Sequence, residues 1–150
     1  EHDEHGNFTE DVKIRTAMMD KRWRKWEYMK KEIYQPPIYG EEDAEVTIVC
    51  WGSTKGIVKE AIKLLKKEGI SANMLQIIYM LPFPSEEVAG YLNSAKIIVD
   101  VENNKTAQLA SVIKENTGID IQHKILKYSG RPFYPEEIAS AIKEVLQHGS

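Results

Sequence analysis

Cysteine is nearly missing from this sequence, in which Cys50 is the only one among 150 residues. A lone thiol excludes an internal disulfide and cannot supply the four thiolates that usually hold an iron–sulfur cluster. It fits a reducing, cytoplasmic setting. Long hydrophobic runs are missing too. Nothing approaches the roughly 20 apolar residues that span a bilayer, so no membrane association is expected. Nor is there an excess of positive charge. The net charge of −3 gives no global basic field, which counts against nucleic acid as a principal partner. The opening Glu1-His2-Asp3-Glu4-His5-Gly6 is acidic and polar, unlike a signal peptide, and no Met precedes it. The expectation is a segment of a longer chain, with Gly149-Ser150 resembling a cloning remnant.

What is present suits one soluble α/β domain with an appended arm. Hydrophobic residues make up 42% of the chain, and a chain this long buries about two-thirds of its unfolded surface, so a real core is expected. From about Glu10 to Ile33 the residues Val12, Met19, Trp23, Trp26 and Ile33 recur at helical spacing. Thr9 or Asp11 is placed to cap this helix, and Pro36-Pro37 must end it. Arg22, Arg24 and Lys25 beside the tryptophans suggest nucleic-acid stacking, but the tryptophans lie on the apolar stripe, which favours a packing helix. Residues 1–43 therefore read as a linker arm with a Pro-rich connection, and residues 44–150 as the α/β domain.

Within that domain, strand and helix alternate. Val46 to Trp51 is a short apolar run of the kind a buried parallel strand needs. Met74 to Met80, Lys96 to Val101 and His123 to Tyr128 are the other strands. Helices follow each, the last opened by Pro135 and Glu136-Glu137. Such alternation calls for a mostly parallel sheet with helices on both faces. An added edge strand near Ile38-Tyr39, running antiparallel, is compatible with it.

Two loops lie at the carboxyl edge of that sheet, where ligands of open α/β sheets collect. Gly52-Ser53-Thr54-Lys55-Gly56 joins the first strand to its helix, where backbone amides can cradle an anion. It matches neither the dinucleotide nor the P-loop fingerprint, and a tight turn with Ser53 or Thr54 as helix cap is the plainer reading. Glu102-Asn103-Asn104 ends the third strand, with Gln108 one turn into the next helix. A carboxylate there suits proton acceptance or an ion pair with a partner chain, and a polar turn with Asn103 or Asn104 as cap stands level with that reading. Gly52, Ser53, Thr54, Gly56, Glu102, Asn103, Asn104 and Gln108 are thus the candidates. Cys50, in mid-strand, reads as a core residue, and the His2–His5 pair as incidental rather than a metal site. No nucleophile–base pair emerges.

Several motifs, taken together, resemble α subunits of 2-oxoacid:ferredoxin oxidoreductases of the 2-oxoglutarate and pyruvate type. They are Asp3-Glu4-His5-Gly6, Asp20-Lys21-Arg22 with Lys25, Trp51 to Gly56, Leu81-Pro82-Phe83-Pro84, Val101 to Asn104, Ala107-Gln108-Leu109-Ala110, and Tyr128 to Glu137. Ala107 stands where the family often has glycine. The resemblance implies a fold like the transketolase C-terminal domain: three layers, α/β/α, around a mixed, mostly parallel five-stranded sheet, preceded by the linker helix. The complete enzymes use thiamine diphosphate with Mg, iron–sulfur clusters, and coenzyme A as cosubstrate. The resemblance implies that none of these is bound by this chain, because the cofactor-activating carboxylate lies upstream and the clusters lie elsewhere. Its implied partners are an upstream pyrimidine-binding domain, the β subunit and, through the complex, ferredoxin, with a homodimer also in view. No catalytic residue is carried over, and the edge residues named above are expected at an interface or active-site periphery.

Overall fold

The computed structural model describes residues 1–148; Gly149 and Ser150 lie outside the described residues. The chain parts into two compact units, Glu1–Tyr34 and Gln35–Ser150. The Pro-rich connection and the acidic turn thus go with the sheet rather than with the arm.

In the first unit, helix α1 spans Val12–Glu32. Asp11 caps it, its carboxylate accepting from the amides of Lys13 at 2.8 Å and Ile14 at 3.0 Å. Two of the four orphan amides of the first turn are satisfied in this way. Ile33 is already extended, three residues ahead of the proline pair. Val12, Met19 and Trp23 are exposed, and the Trp23 and Trp26 rings meet edge to face with centroids 6.1 Å apart.

The second unit is built around β2 (Val46–Trp51), whose residues are buried on both faces through Cys50. Alternation sends Val46, Ile48 and Cys50 to one side and Val49 to the other. Each fully buried aliphatic side chain of this kind stabilises the fold by about 1.5–3 kcal/mol. The other strands are β1 (Ile38–Gly40), β3 (Ala72–Ile77), β4 (Ile97–Glu102) and β5 (His123–Leu126). Their order across the sheet is β1-β3-β2-β4-β5, with only β1 antiparallel. Gly40 lets β1 approach closely: a Cβ there would stand 2.7 Å from the carbonyl oxygen of Ala72.

Helices α2 (Thr54–Lys67) and α5 (Pro135–His148) cover one face, packing Val58, Ala61, Leu65, Ile138 and Ile142 onto β2 and β4. Helices α3 (Ser85–Ser94) and α4 (Gln108–Thr117) cover the other with Val88, Leu92, Leu109 and Ile113. The result is a three-layer α/β/α domain. β3 stops at Ile77 rather than Met80, because its last neighbour on β2 is Trp51 and nothing continues the ladder. At the start of α5, Glu137 reaches back to accept from the Tyr134 amide at 2.7 Å, half of a capping box, and takes Lys127 Nζ at 2.7 Å as well. That is a physical reason for the second glutamate of the Pro-Glu-Glu motif.

No helix among the described residues is long and apolar enough to cross a membrane.

Candidate functional site

The connections diverge at β2 and β4. The chain leaves β2 for α2 on one face, and leaves the neighbouring β4 for α4 on the opposite face. A crevice opens outside the carboxyl ends of two such strands, which is where ligands of open α/β sheets are bound. Both candidate loops border it. Trp51, Gly52, Ser53, Thr54, Asn103, Asn104 and Gln108 line one cleft of about 320 Å³. Ser53 and Asn103 also line a second, more open cleft of about 450 Å³, together with Lys127, Tyr128, Gly130, Arg131 and Pro132. Gly56 lies apart from the lining, within the first turn of α2.

The two helix starts that meet here are treated differently. Gly52 turns the chain out of β2 at φ +55°, a conformation that glycine adopts freely. Ser53 makes no side-chain cap on α2, and the Thr54 hydroxyl donates to the carbonyl of Trp51 at 2.6 Å instead. The first amides of α2 therefore keep their positive end of the helix dipole without a side-chain acceptor. Near them, Arg131 has no carboxylate within ion-pair distance among the described residues.

The start of α4, by contrast, is closed from within. Glu102 has no solvent exposure. Its Oε1 accepts from the amides of Leu109 at 2.8 Å and Ala110 at 3.3 Å. Its Oε2 accepts from Trp51 Nε1 at 3.1 Å and Asn104 Nδ2 at 2.6 Å. Asn104 Oδ1 in turn accepts from the amides of Thr106 at 3.0 Å and Gln108 at 3.4 Å. The amides of Leu109 and Ala110, in the first turn of α4, thus go to Glu102, and Asn104 takes those of Thr106 and Gln108. Glu102 points inward, away from solvent, because the pleat turns position 102 toward α4. Ala107, at the head of α4, is left-handed at φ +51°, the conformation a glycine would supply without strain.

The remaining sequence readings find simple places. Cys50 is wholly buried in the core, as its place in mid-strand suggested, and burial pushes its thiol up to about 12. Among the described residues, no group of three or more His, Cys, Asp or Glu could hold a metal ion. Sequence reasoning missed Tyr128, Gly130, Arg131 and Pro132 as lining residues. The available signal was their position just after a parallel strand, at the same edge as the two loops.

Fold and crevice together define a transketolase C-terminal-like α/β domain. A transketolase variant from Pichia stipitis shares this fold at 18% identity, with a TM-score of 0.55 over 73% of this chain and 18% of its own. Residues 44–138 match the family described as pyruvate:ferredoxin oxidoreductase core domain II, and the chain belongs to that family. The α subunit of a 2-oxoacid:ferredoxin oxidoreductase from Saccharolobus solfataricus is 40% identical over 99% of this chain and 24% of its own length. A solved 2-oxoglutarate:ferredoxin oxidoreductase from Magnetococcus marinus, with 2-oxoglutarate, coenzyme A and succinyl-CoA bound, is 29% identical. Its TM-score is 0.79 over 96% of this chain and 25% of that one. The chain thus spans about a quarter of the length of these relatives.

Proposed function

We propose that this chain is the assembly and active-site-periphery part of the α subunit of a thiamine-diphosphate-dependent 2-oxoacid:ferredoxin oxidoreductase. In that reaction a 2-oxoacid and coenzyme A become an acyl-coenzyme A and carbon dioxide, and the electrons pass to ferredoxin. The observation that carries the reading is the crevice between β2 and β4, which gathers amides, hydroxyls and a guanidinium at the carboxyl edge of the sheet. Such groups can hold a neighbouring chain or the edge of a bound molecule, while the chemistry belongs to the cofactor. The upstream pyrimidine-binding domain and the β subunit are the partners this implies, in the cytoplasm, with ferredoxin reached through the complex. The Glu1–Tyr34 unit acts as the linker arm and the unit that begins at Gln35 as the contacting domain. Calorimetric titration of the chain with thiamine diphosphate and Mg is expected to be silent, and turnover is expected only when the rest of the α subunit and the β subunit are supplied. Heat on adding thiamine diphosphate, or oxidation of a 2-oxoacid by this chain alone, would overturn the reading.

A second reading is favoured by one observation, the uncapped start of α2 beside Arg131. It makes the Gly52–Gly56 loop an anion- or nucleotide-binding element of a freestanding module. Saturable heat with phosphate or ATP, lost in Gly52→Val, is its signature. A flat titration at millimolar ligand counts against it.

A further inference from the structure

Two residues before Glu102 on the same strand, and by alternation on the same face, lies a second carboxyl group with no solvent exposure, that of Asp100. The two are opposites in their surroundings. Glu102 has four donors. No donor reaches either oxygen of Asp100 among the described residues, and a bond between it and Glu102 requires that one of the two carboxyls carry a proton. A carboxylate taken out of water without donors is costly, and a second charge close by on the same strand adds to the cost.

The neighbours of Asp100 do little to relieve it. Across the ladder on β2 stands Val49, which is apolar and buried, and beyond it Trp51 is committed to Glu102. Helix α4 presents Leu109, Ala110 and Ile113 to this side of the sheet, and its Lys114 is paired with Asp120 at 2.8 Å. On β5 the register partner is Lys124, an exposed cation whose field favours the charged form. The Cys50 thiol, on the neighbouring strand, belongs to the core on the opposite face. One exposed lysine is therefore set against burial and against Glu102.

We propose that Asp100 holds a buried proton, and that losing it unfastens the corner in which Glu102 binds Trp51, Asn104 and the start of α4. With Asp100 neutral, Glu102 is the one charge of the pair and takes all the donors. With both charged, the two carboxylates repel, and the strain falls on the strand end, where Glu102 borders the crevice through Trp51 and Asn104. Movement of Glu102 releases the Trp51 indole and the Asn104 amide, both of which line the crevice. The direction of the Asp100 equilibrium agrees: burial first, then the hydrogen bond with Glu102 and the Glu102 charge, push its carboxyl up to about 8. The crevice edge is thus a proton-responsive element working just above neutrality. This inference concerns the domain's own side chains and does not depend on the function proposed above.

The test is nuclear magnetic resonance on the full chain, from about pH 6 to about pH 9, a range that excludes ordinary carboxyl titration. The Asp100 carboxyl carbon is assigned with Asp100→Asn, and the Trp51 indole N–H with Trp51→Phe. The expected result is one carboxyl titrating inside this range, with the Trp51 indole resonance moving at the same midpoint, and that movement absent in Asp100→Asn. An Asp100 carboxyl that titrates in the ordinary acidic range overturns the proposal. So does a Trp51 resonance that stays still, or one that moves identically in Asp100→Asn. Should Asp100→Asn fail to fold, the wild-type protein decides alone: coincident midpoints support the coupling and separate midpoints overturn it.

Discussion

The indole nitrogen of Trp51 donates to Oε2 of Glu102 across 3.1 Å, joining the ends of β2 and β4 at the place where their helices leave for opposite faces. Because Glu102 is buried, its removal would leave the Trp51 indole, the Asn104 amide and the amides of Leu109 and Ala110 short of an acceptor. Buried donors left unpaired cost about 1–3 kcal/mol each, with water recovering part of this at the crevice rim. Glu102→Ala is therefore expected to destabilise the chain by about 3 kcal/mol or more in urea denaturation, and Trp51→Phe by about 1–2 kcal/mol. A Glu102→Ala loss within about 1 kcal/mol would mean that the bonds at this corner are not what fixes it.

Ala107 tests how much a left-handed alanine costs. Its conformation, φ +51° and ψ 58°, disfavours an L-residue by about 1–2 kcal/mol, which glycine would relieve. Against this stand the extra freedom glycine gives the unfolded chain, about 0.4–1 kcal/mol, and the loss of a buried methyl, about 0.8 kcal/mol. Ala107→Gly is expected to leave stability nearly unchanged. Ala61→Gly, in mid-helix α2 and equally buried, has no strain to relieve and should cost about 2 kcal/mol. Equal losses at the two sites in thermal denaturation would contradict the strain argument.

The buried Asp100 gives stability a pH slope of definite sign. Its folded-state pKa, about 8, lies above its ordinary 3.8. The unfolded chain therefore gives up this proton first as pH rises, and the folded chain holds more protons between the two values. Stability from this group is fully present below about pH 4 and falls by up to about 1.4 kcal/mol per pH unit until it levels off near pH 8. Asp100→Asn removes the titration, so its stability should vary less with pH over that window and exceed that of the wild type at the alkaline end. Parallel stability–pH curves for the two proteins would show that Asp100 is not protonated in the fold.

How much of this was legible in the sequence depends on what each residue answers to. The strand at Val46–Trp51 and the helix stripes answer to burial, which hydrophobic spacing records, while the antiparallel edge at Ile38–Gly40 was no more than compatible with the sequence. The crevice was legible too, because it follows from topology. The inward turn of Glu102 was not, since a carboxylate beside two asparagines reads as polar surface until the pleat assigns its face. The donors that hold it come from Trp51, 51 residues away in sequence, and from a helix start set by the strain at Ala107. Arg131 and Tyr128 escaped notice for a related reason: only the sheet order brings β5 beside β4, and with it their loop beside Asn103.

The arm offers the last prediction. On α1 the residues Val12, Met19 and Trp23 lie on one helical stripe and are exposed, and Trp23 alone leaves 64% of its surface open. An apolar stripe on a helix otherwise rich in lysine and arginine marks a docking face, and in a chain studied by itself the face at hand is that of a second copy. Sedimentation velocity is expected to show association that grows with concentration. Trp23→Glu, which places a charge in the middle of the stripe, should abolish it, while Lys30→Glu, in the basic last turn of the same helix, should not. Both variants should keep the sheet unit's unfolding transition, because Trp23 and Lys30 lie in the Glu1–Tyr34 unit. A chain that stays monomeric at every concentration would leave the stripe without this role, and equal loss in both variants would assign the association to charge rather than to the apolar face.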